Sequence, residues 1–301
     1  MLGRRQIREK VIETLYANVQ NPLDYDVLER NMFREIEKVY HLYIYQLNFL
    51  LALKEVAEQQ MEIGKLKYIR SEENTDPNRK FIDNAILAQI EANAERIVFS
   101  GKHKELQWDI QDDLLVSTFQ KIKKGKRFQD YMEAETTSYL EDQKFIGKLF
   151  LRYIAENEDF HAHLEEKELS WASDFHIANS MFQKTIGFLK ENEESHTLIK
   201  TIKDDEDRDF AKKLLRETIK HWDESEEKLK LKLINWELER VSLIDKVILI
   251  AAISELDHFP LTPTKVLLNE YIEISKVFST EKSNVFVNGI LDKYTKELNR
   301  I

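Results

Sequence analysis

The chain contains no cysteine, and only seven glycines and four prolines among its 301 residues. Without a thiol there is no disulfide, no zinc–thiolate site and no cysteine nucleophile. The scarcity of glycine and proline removes the turn residues that sandwiches and barrels need and favours long helices. Alternation of apolar and polar residues at period two is almost missing, so a Rossmann-like sheet has no place in the chain. No glycine-rich cofactor loop follows a strand. The longest wholly apolar run, Val247 to Ile253, is far short of the ~20 residues that span a bilayer. The start, Met1-Leu2-Gly3-Arg4-Arg5, lacks the apolar core of a secretion signal. A soluble cytoplasmic protein is expected.

Charge is abundant: a third of the residues are charged and the formal net charge is −10. An acidic average disfavours nucleic acid, but binding needs only a local basic patch, so the positions of the cations decide. Residues 3–19 read as an amphipathic helix with Ile7, Val11 and Leu15 as its buried stripe. At 100° per residue, Arg5, Arg8, Ile12 and Tyr16 fall within an arc of about 80° beside that stripe. Arg4, Arg5 and Arg8 crowd the positive end of the helix dipole, where stability does not favour them. A bound anion would explain them, and so would a solvated terminus. A second basic cluster, Lys121 to Arg127, reads either as a solvated helix end or as an additional RNA contact through Lys123, Lys124, Lys126 and Arg127.

Further helices are expected over 26–70, with a bend near Gly64, and over 78–98, 109–123, 127–136, 139–156 and 158–192. Residues 71–77 read as a polar loop. Tyr40, Tyr43, Leu47, Leu50 and Leu51 form an apolar face that predicts core and not a ligand site. His161 and His163 diverge on a helix and do not form a metal pair, so no metal or cofactor is expected. At an offset of 65 residues, Phe145, Lys148, Leu149, Ile154, Leu164 and Trp171 align with Phe210, Lys213, Leu214, Ile219, Leu229 and Trp236, which raises the prospect of a degenerate internal repeat. Phe210 to Leu233 reads as one amphipathic helix. A second, 235–256, is apolar all round over Val247–Ile253 and is expected at the centre of a bundle. In the last helix Phe286, Ile290 and Tyr294 recur every four residues. Gly289 in its middle costs about 1 kcal/mol against alanine, which predicts another backbone packed close by.

Pro263, Lys265, Val266, Asn269, Glu270, Glu273 and Lys276 precede Phe286-Val287-Asn288-Gly289-Ile290-Leu291-Asp292. This ordered pattern resembles the C-terminal signature of the NusB transcription antitermination factors. The resemblance covers residues 3–18 and about 208–296. It implies an all-α fold of NusB-like helical bundles with a long helical insertion after the first helix. The expected division is a first helix in 1–20, an insertion in 21–207 that could be a degenerate copy of the unit, and a C-terminal bundle in 208–301. In the family, the arginine-rich start of the first helix and the turn before the last helix lie at RNA. The resemblance therefore assigns RNA contact to Arg4, Arg5, Arg8, Lys282, Ser283 and Phe286. It assigns Tyr16 and Asp245 to the surface for NusE, the ribosomal small-subunit protein that also acts in transcription; Asp245 reads equally well as an exposed helix charge. The implied function is binding of boxA-like RNA in nascent ribosomal RNA with NusE, within an antitermination complex on RNA polymerase. The turn Glu281-Lys282-Ser283-Asn284-Val285-Phe286 departs from the usual family pattern at Lys282, Asn284 and Val285, which leaves the RNA preference open. A helical protein-interaction scaffold with little RNA affinity is the alternative. No catalytic set is discernible, so an enzyme is not expected.

Overall fold

A computed structural model describes residues 1–65, 78–136, 138–191, 193, 197–233 and 237–297. Among these residues every regular element is helical. They divide into two compact units, one of Met1–Ile36 with Ile202–Ile301, the other of Glu37–Thr201.

The first unit is built round one helix. Its elements are α1 (Arg4–Gln20), the start of α2 (Tyr25–Lys65), and, from the last third of the chain, α10 (Asp205–Lys220), α11 (Trp222–Lys230), α12 (Leu243–His258), α13 (Thr264–Phe278) and α14 (Ser283–Glu297). Helix α12 packs against α1, α10, α11, α13 and α14. The run Val247–Ile253 has no measurable exposure at any position, as its all-round apolar character requires. Each fully buried Val, Leu or Ile there contributes about 1.5–3 kcal/mol. Ser242 caps α12 by accepting from the Asp245 amide at 3.2 Å.

The segment expected as one helix over 210–233 is two. Asp204 caps α10 by accepting from the Asp207 amide, so the helix starts earlier, and it ends at His221 with φ −109° and ψ 25°. That corner lets both α10 and α11 lie against α12 and buries Leu214, Leu215 and Leu229 together. Gly289 also departs from expectation. A Cβ there would meet nothing within 4 Å among the described residues, so none of their backbone approaches it; the glycine lies on the exposed face of α14.

The second unit holds the remainder of α2, then α3 (Ala85–Ala92), α4 (Ala94–Lys102), α5 (Asp113–Lys124), α6 (Lys126–Glu133), α7 (Tyr139–Phe150), α8 (Glu158–Lys167) and α9 (Leu169–Phe188). The helix expected over 78–98 is interrupted twice by asparagine. Asn84 and Asn93 each turn the chain out of helical geometry and cap the next helix, Asn84 accepting from Ile86 and Leu87 and Asn93 from Arg96. This is ordinary N-cap chemistry. The predicted apolar face of α2 is core: Tyr43, Leu47 and Leu50 are fully buried. Tyr45 on the same helix stacks on Trp108 at 4.5 Å and its hydroxyl meets His163 Nε2 at 2.7 Å. His161 Nε2 instead lies 2.9 Å from the Ala155 carbonyl, so the two histidines serve different contacts. Helix α7 passes into a π-helical turn over Leu151–Ala155. Residues 71–77 and Trp236 lie outside the described residues, as does the predicted helical extension past Lys65.

Candidate nucleic-acid interface

Three arginines open α1, and the fold treats each differently. Arg4 lies over the Phe210 ring at 4.8 Å and donates to Glu206 at 2.5 Å and Asp207 at 3.2 Å. Its side chain is 41% exposed and that of Glu206 is 80% exposed. Arg5 donates both arms of its fork to Glu270 of α13, at 2.8 and 2.9 Å. That hydrogen bond raises its pKa against a smaller cost of burial. Arg8 is almost wholly covered: it is 3% exposed and Glu255 is 0% exposed. The two pair through both arms at 2.8 and 2.5 Å, and the Tyr271 hydroxyl donates to the same carboxylate at 2.8 Å. Burial opposes the charge on Arg8, but the hydrogen bonds and attraction of Glu255 outweigh it, and the pKa is raised. Burial pushes the Tyr271 phenol well above its ordinary value, with the Glu255 charge adding to the effect. Arg8, expected to contact RNA, thus has its fork occupied within the protein. A buried arginine with a complete fork–fork partner is a structural ion pair.

Arg4 and Arg5 border an open groove of about 520 Å³, at which Arg8 shows only its small exposed part and whose other wall carries Leu261, Pro263 and Val266. Leu261 is 95% exposed, an unusual setting for a leucine. Gln6 turns back to accept from the Gly3 amide at 2.9 Å, which leaves the first helical turn capped without an acid.

The second predicted group comes together in space. Lys282, Ser283 and Phe286, read as RNA contacts, and Asp245, read as a partner contact, line one groove of about 550 Å³ with Val241 and Val285. Ser283 donates to Asp245 Oδ2 at 3.0 Å. Asp245 is only 6% exposed, so it is not the exposed helix charge of the alternative reading. Its Oδ1 is buried and accepts no hydrogen bond from the described residues. A buried carboxylate oxygen without a donor is costly. Val285 is 71% exposed. Tyr16, half-buried on α1, lines neither groove.

In the other unit the basic cluster separates. Lys121 pairs with Asp159 at 2.7 Å. Lys123 donates to Gln60 at 2.7 Å and lies over the Phe119 ring. Lys124 is exposed at the end of α5. Lys126 and Arg127 instead border a pocket of about 270 Å³ together with Lys148 and Arg152. Nothing in the sequence pattern marks the last two. Arg152 sits in the π-helical turn, which rotates it relative to a continued α-helix, and π-turns recur at functional positions. It pairs with Glu156 at 3.3 Å.

The NusB family model matches residues 174–296. The transcription antitermination protein NusB of Salinibacter ruber is 40% identical over 105 residues, 34% of this chain and 66% of that protein. That of Methylacidiphilum infernorum is 40% identical over 97 residues, 32% of this chain and 68% of the relative. The chain belongs to the NusB family. The NusB protein of Lysinibacillus sphaericus gives a similar match, 39% over 88 residues and 69% of its length. These relatives are thus spanned over about two thirds of their length, and about a third of this chain takes part.

The NusB match begins at residue 174, inside α9, earlier than the 208 at which the signature becomes readable by eye. It includes Asp245, Ser283 and Phe286 but not α1. The all-helical architecture is that of the family. No helix of the described residues is long and apolar enough to cross a membrane. The NusB family is one of non-enzymatic transcription factors.

Proposed function

We propose that this NusB protein is an antitermination factor that binds boxA-like RNA of nascent ribosomal RNA together with NusE, within the antitermination complex on RNA polymerase. The observation that carries the reading is the groove at Asp245. A buried carboxylate oxygen without a donor among the described residues, beside exposed Val285 and half-buried Phe286, suits a protein partner that supplies one hydrogen bond and an apolar contact. Lys282 on the same rim supplies a cation for RNA bound alongside. Arg4 and Arg5 are the proposed phosphate contacts of α1, and Arg8 holds that helix against α12. Lys126 and Arg127, with Lys148 and Arg152, form a further proposed phosphate contact; Lys123 and Lys124 do not border it. Single-stranded RNA would then be held by phosphate contacts and read at its unpaired bases.

One observation favours the second reading, a protein-interaction scaffold with little RNA affinity. Arg4, Arg5 and Arg8 face four carboxylates, those of Glu206, Asp207, Glu270 and Glu255. The first helix is thus not a bare basic patch. Binding of a boxA-containing RNA and a scrambled RNA, with and without NusE, separates the two. A boxA preference that appears with NusE and is lost in Arg4→Ala/Arg5→Ala supports antitermination. NusE binding with no RNA preference leaves the scaffold.

A further inference from the structure

The corner between α10 and α11 brings Glu217 and His221, one helical turn apart, to His258 at the end of α12. One ligand atom from each lies within 4.8 Å of the others. His221 Nε2 is 3.5 Å from Glu217 Oε2, close to the edge of about 3.4 Å that two ligands of a tetrahedral zinc ion subtend at bond lengths of ~2.0–2.1 Å. The two imidazoles lie 4.2 Å apart.

The other nitrogen of each ring is already engaged. His221 Nδ1 faces Glu224 Oε2 at 3.2 Å, and His258 Nδ1 lies 3.0 Å from the Ser254 carbonyl. An acceptor at Nδ1 places the proton there and leaves Nε2 as the free donor of electrons. A carboxylate and a backbone carbonyl are the acceptors that typically orient metal-bound histidines. Glu224 is itself held, because its Oε1 accepts from Lys228 at 2.6 Å while Lys228 also donates to Asp257 at 2.8 Å. All three donors are half-buried, so an ion could enter and one coordination position would stay open to water.

We propose that Glu217, His221 and His258 form a binding site for a divalent transition metal, with zinc the ion best suited. Two imidazole nitrogens and one carboxylate exclude magnesium and calcium as natural occupants, since those prefer all-oxygen cages. The ion would tie the α10–α11 corner to the end of α12 independently of RNA or NusE.

The test uses the full chain freed of metal by a chelator and titrated with cobalt(II) alone, then with zinc. Wild type is expected to show visible cobalt absorption that zinc displaces, and a higher melting temperature with zinc. His258→Gln and Glu217→Gln should each abolish that absorption and that shift. Glu224→Gln should keep the absorption but weaken binding by about 10–100-fold. Circular dichroism checks that each variant folds. Glu217 is replaced conservatively at a partly exposed position, so it serves if His258→Gln fails to fold. No cobalt absorption in wild type overturns the proposal, as does binding by Glu217→Gln at the wild-type stoichiometry and affinity.

Discussion

Arg8→Ala separates a structural from an RNA-binding arginine. The substitution leaves the Glu255 carboxylate, 0% exposed, with the Tyr271 hydroxyl at 2.8 Å in place of three donors. Removing one member of a buried ion pair costs about 3–5 kcal/mol, because the survivor stays desolvated and unpaired. Helix α12, which carries Glu255, is the centre of its unit, so the destabilisation should appear in its opening. Hydrogen exchange of peptides from 243–258 should accelerate by about two to four decades, at ~1.4 kcal/mol per decade. Peptides from α3 to α9 belong to the other unit and should keep their rates. Replacing the whole set, Arg8→Met with Glu255→Leu and Tyr271→Phe, should recover most of the protection, since no charge or hydroxyl is then stranded. If Arg8→Ala changed α12 exchange less than about threefold while weakening RNA binding, the structural assignment of Arg8 would be refuted.

Burial holds His41 and His163 below the ordinary histidine value. Between that lower folded value and the unfolded ~6.5, the unfolded chain binds more protons. The stability of the 37–201 unit should thus be constant above about pH 6.5 and fall as pH drops through the folded values. Hydrogen exchange of its peptides at about pH 7.5 and 5.5 checks this, and His41→Gln/His163→Gln should reduce the difference. For the pocket at α6, Lys126→Ala/Lys148→Ala should lower the salt slope of RNA binding by about 0.7 for each phosphate that is no longer neutralised; an unchanged slope removes that pocket from the RNA path. Val285→Asp, at an exposed position, should alter stability by less than about 0.5 kcal/mol. By calorimetric titration it should weaken NusE binding at least tenfold, equivalent to about 1.4 kcal/mol or more.

The helical class and the central place of α12 were legible because both follow from local patterns: few turn residues, apolar positions at helical period, and one run apolar on every side. Helix ends were less legible. Asn84, Asn93 and His221 divide stretches whose apolar period runs on without a break; at the two asparagines capping by the side chain outweighs that period, whereas His221 turns the chain with no side-chain cap. Pairing across the chain was not legible at all. Arg8 and Glu255 are 247 residues apart, and Ser283 lies 38 residues from Asp245. One signal was available: Glu255 stands just after the apolar run of α12, where a buried acid demands a cation. Arg152 was missed because the π-turn changes which residues share a face after Phe150, and Lys148 because its nearness to Lys126 and Arg127 arises only in the folded chain.

The three arginines of α1 show why residue type alone could not settle the interface. Arg4 divides its fork between Asp207, 14% exposed, and Glu206, 80% exposed; exposed pairs are worth only ~0–1 kcal/mol, so a phosphate can take the place of Glu206 while Asp207 keeps the other arm. Arg5 is clamped by both oxygens of Glu270 and gives up a bidentate contact to reach a phosphate, which makes it the less available of the two. Arg8, one turn further along, can leave Glu255 only by opening the core. Over a single turn of helix the same side chain thus passes from partly exchangeable to fixed. The decisive quantity is the exposure of the partner acid, which the fold alone determines.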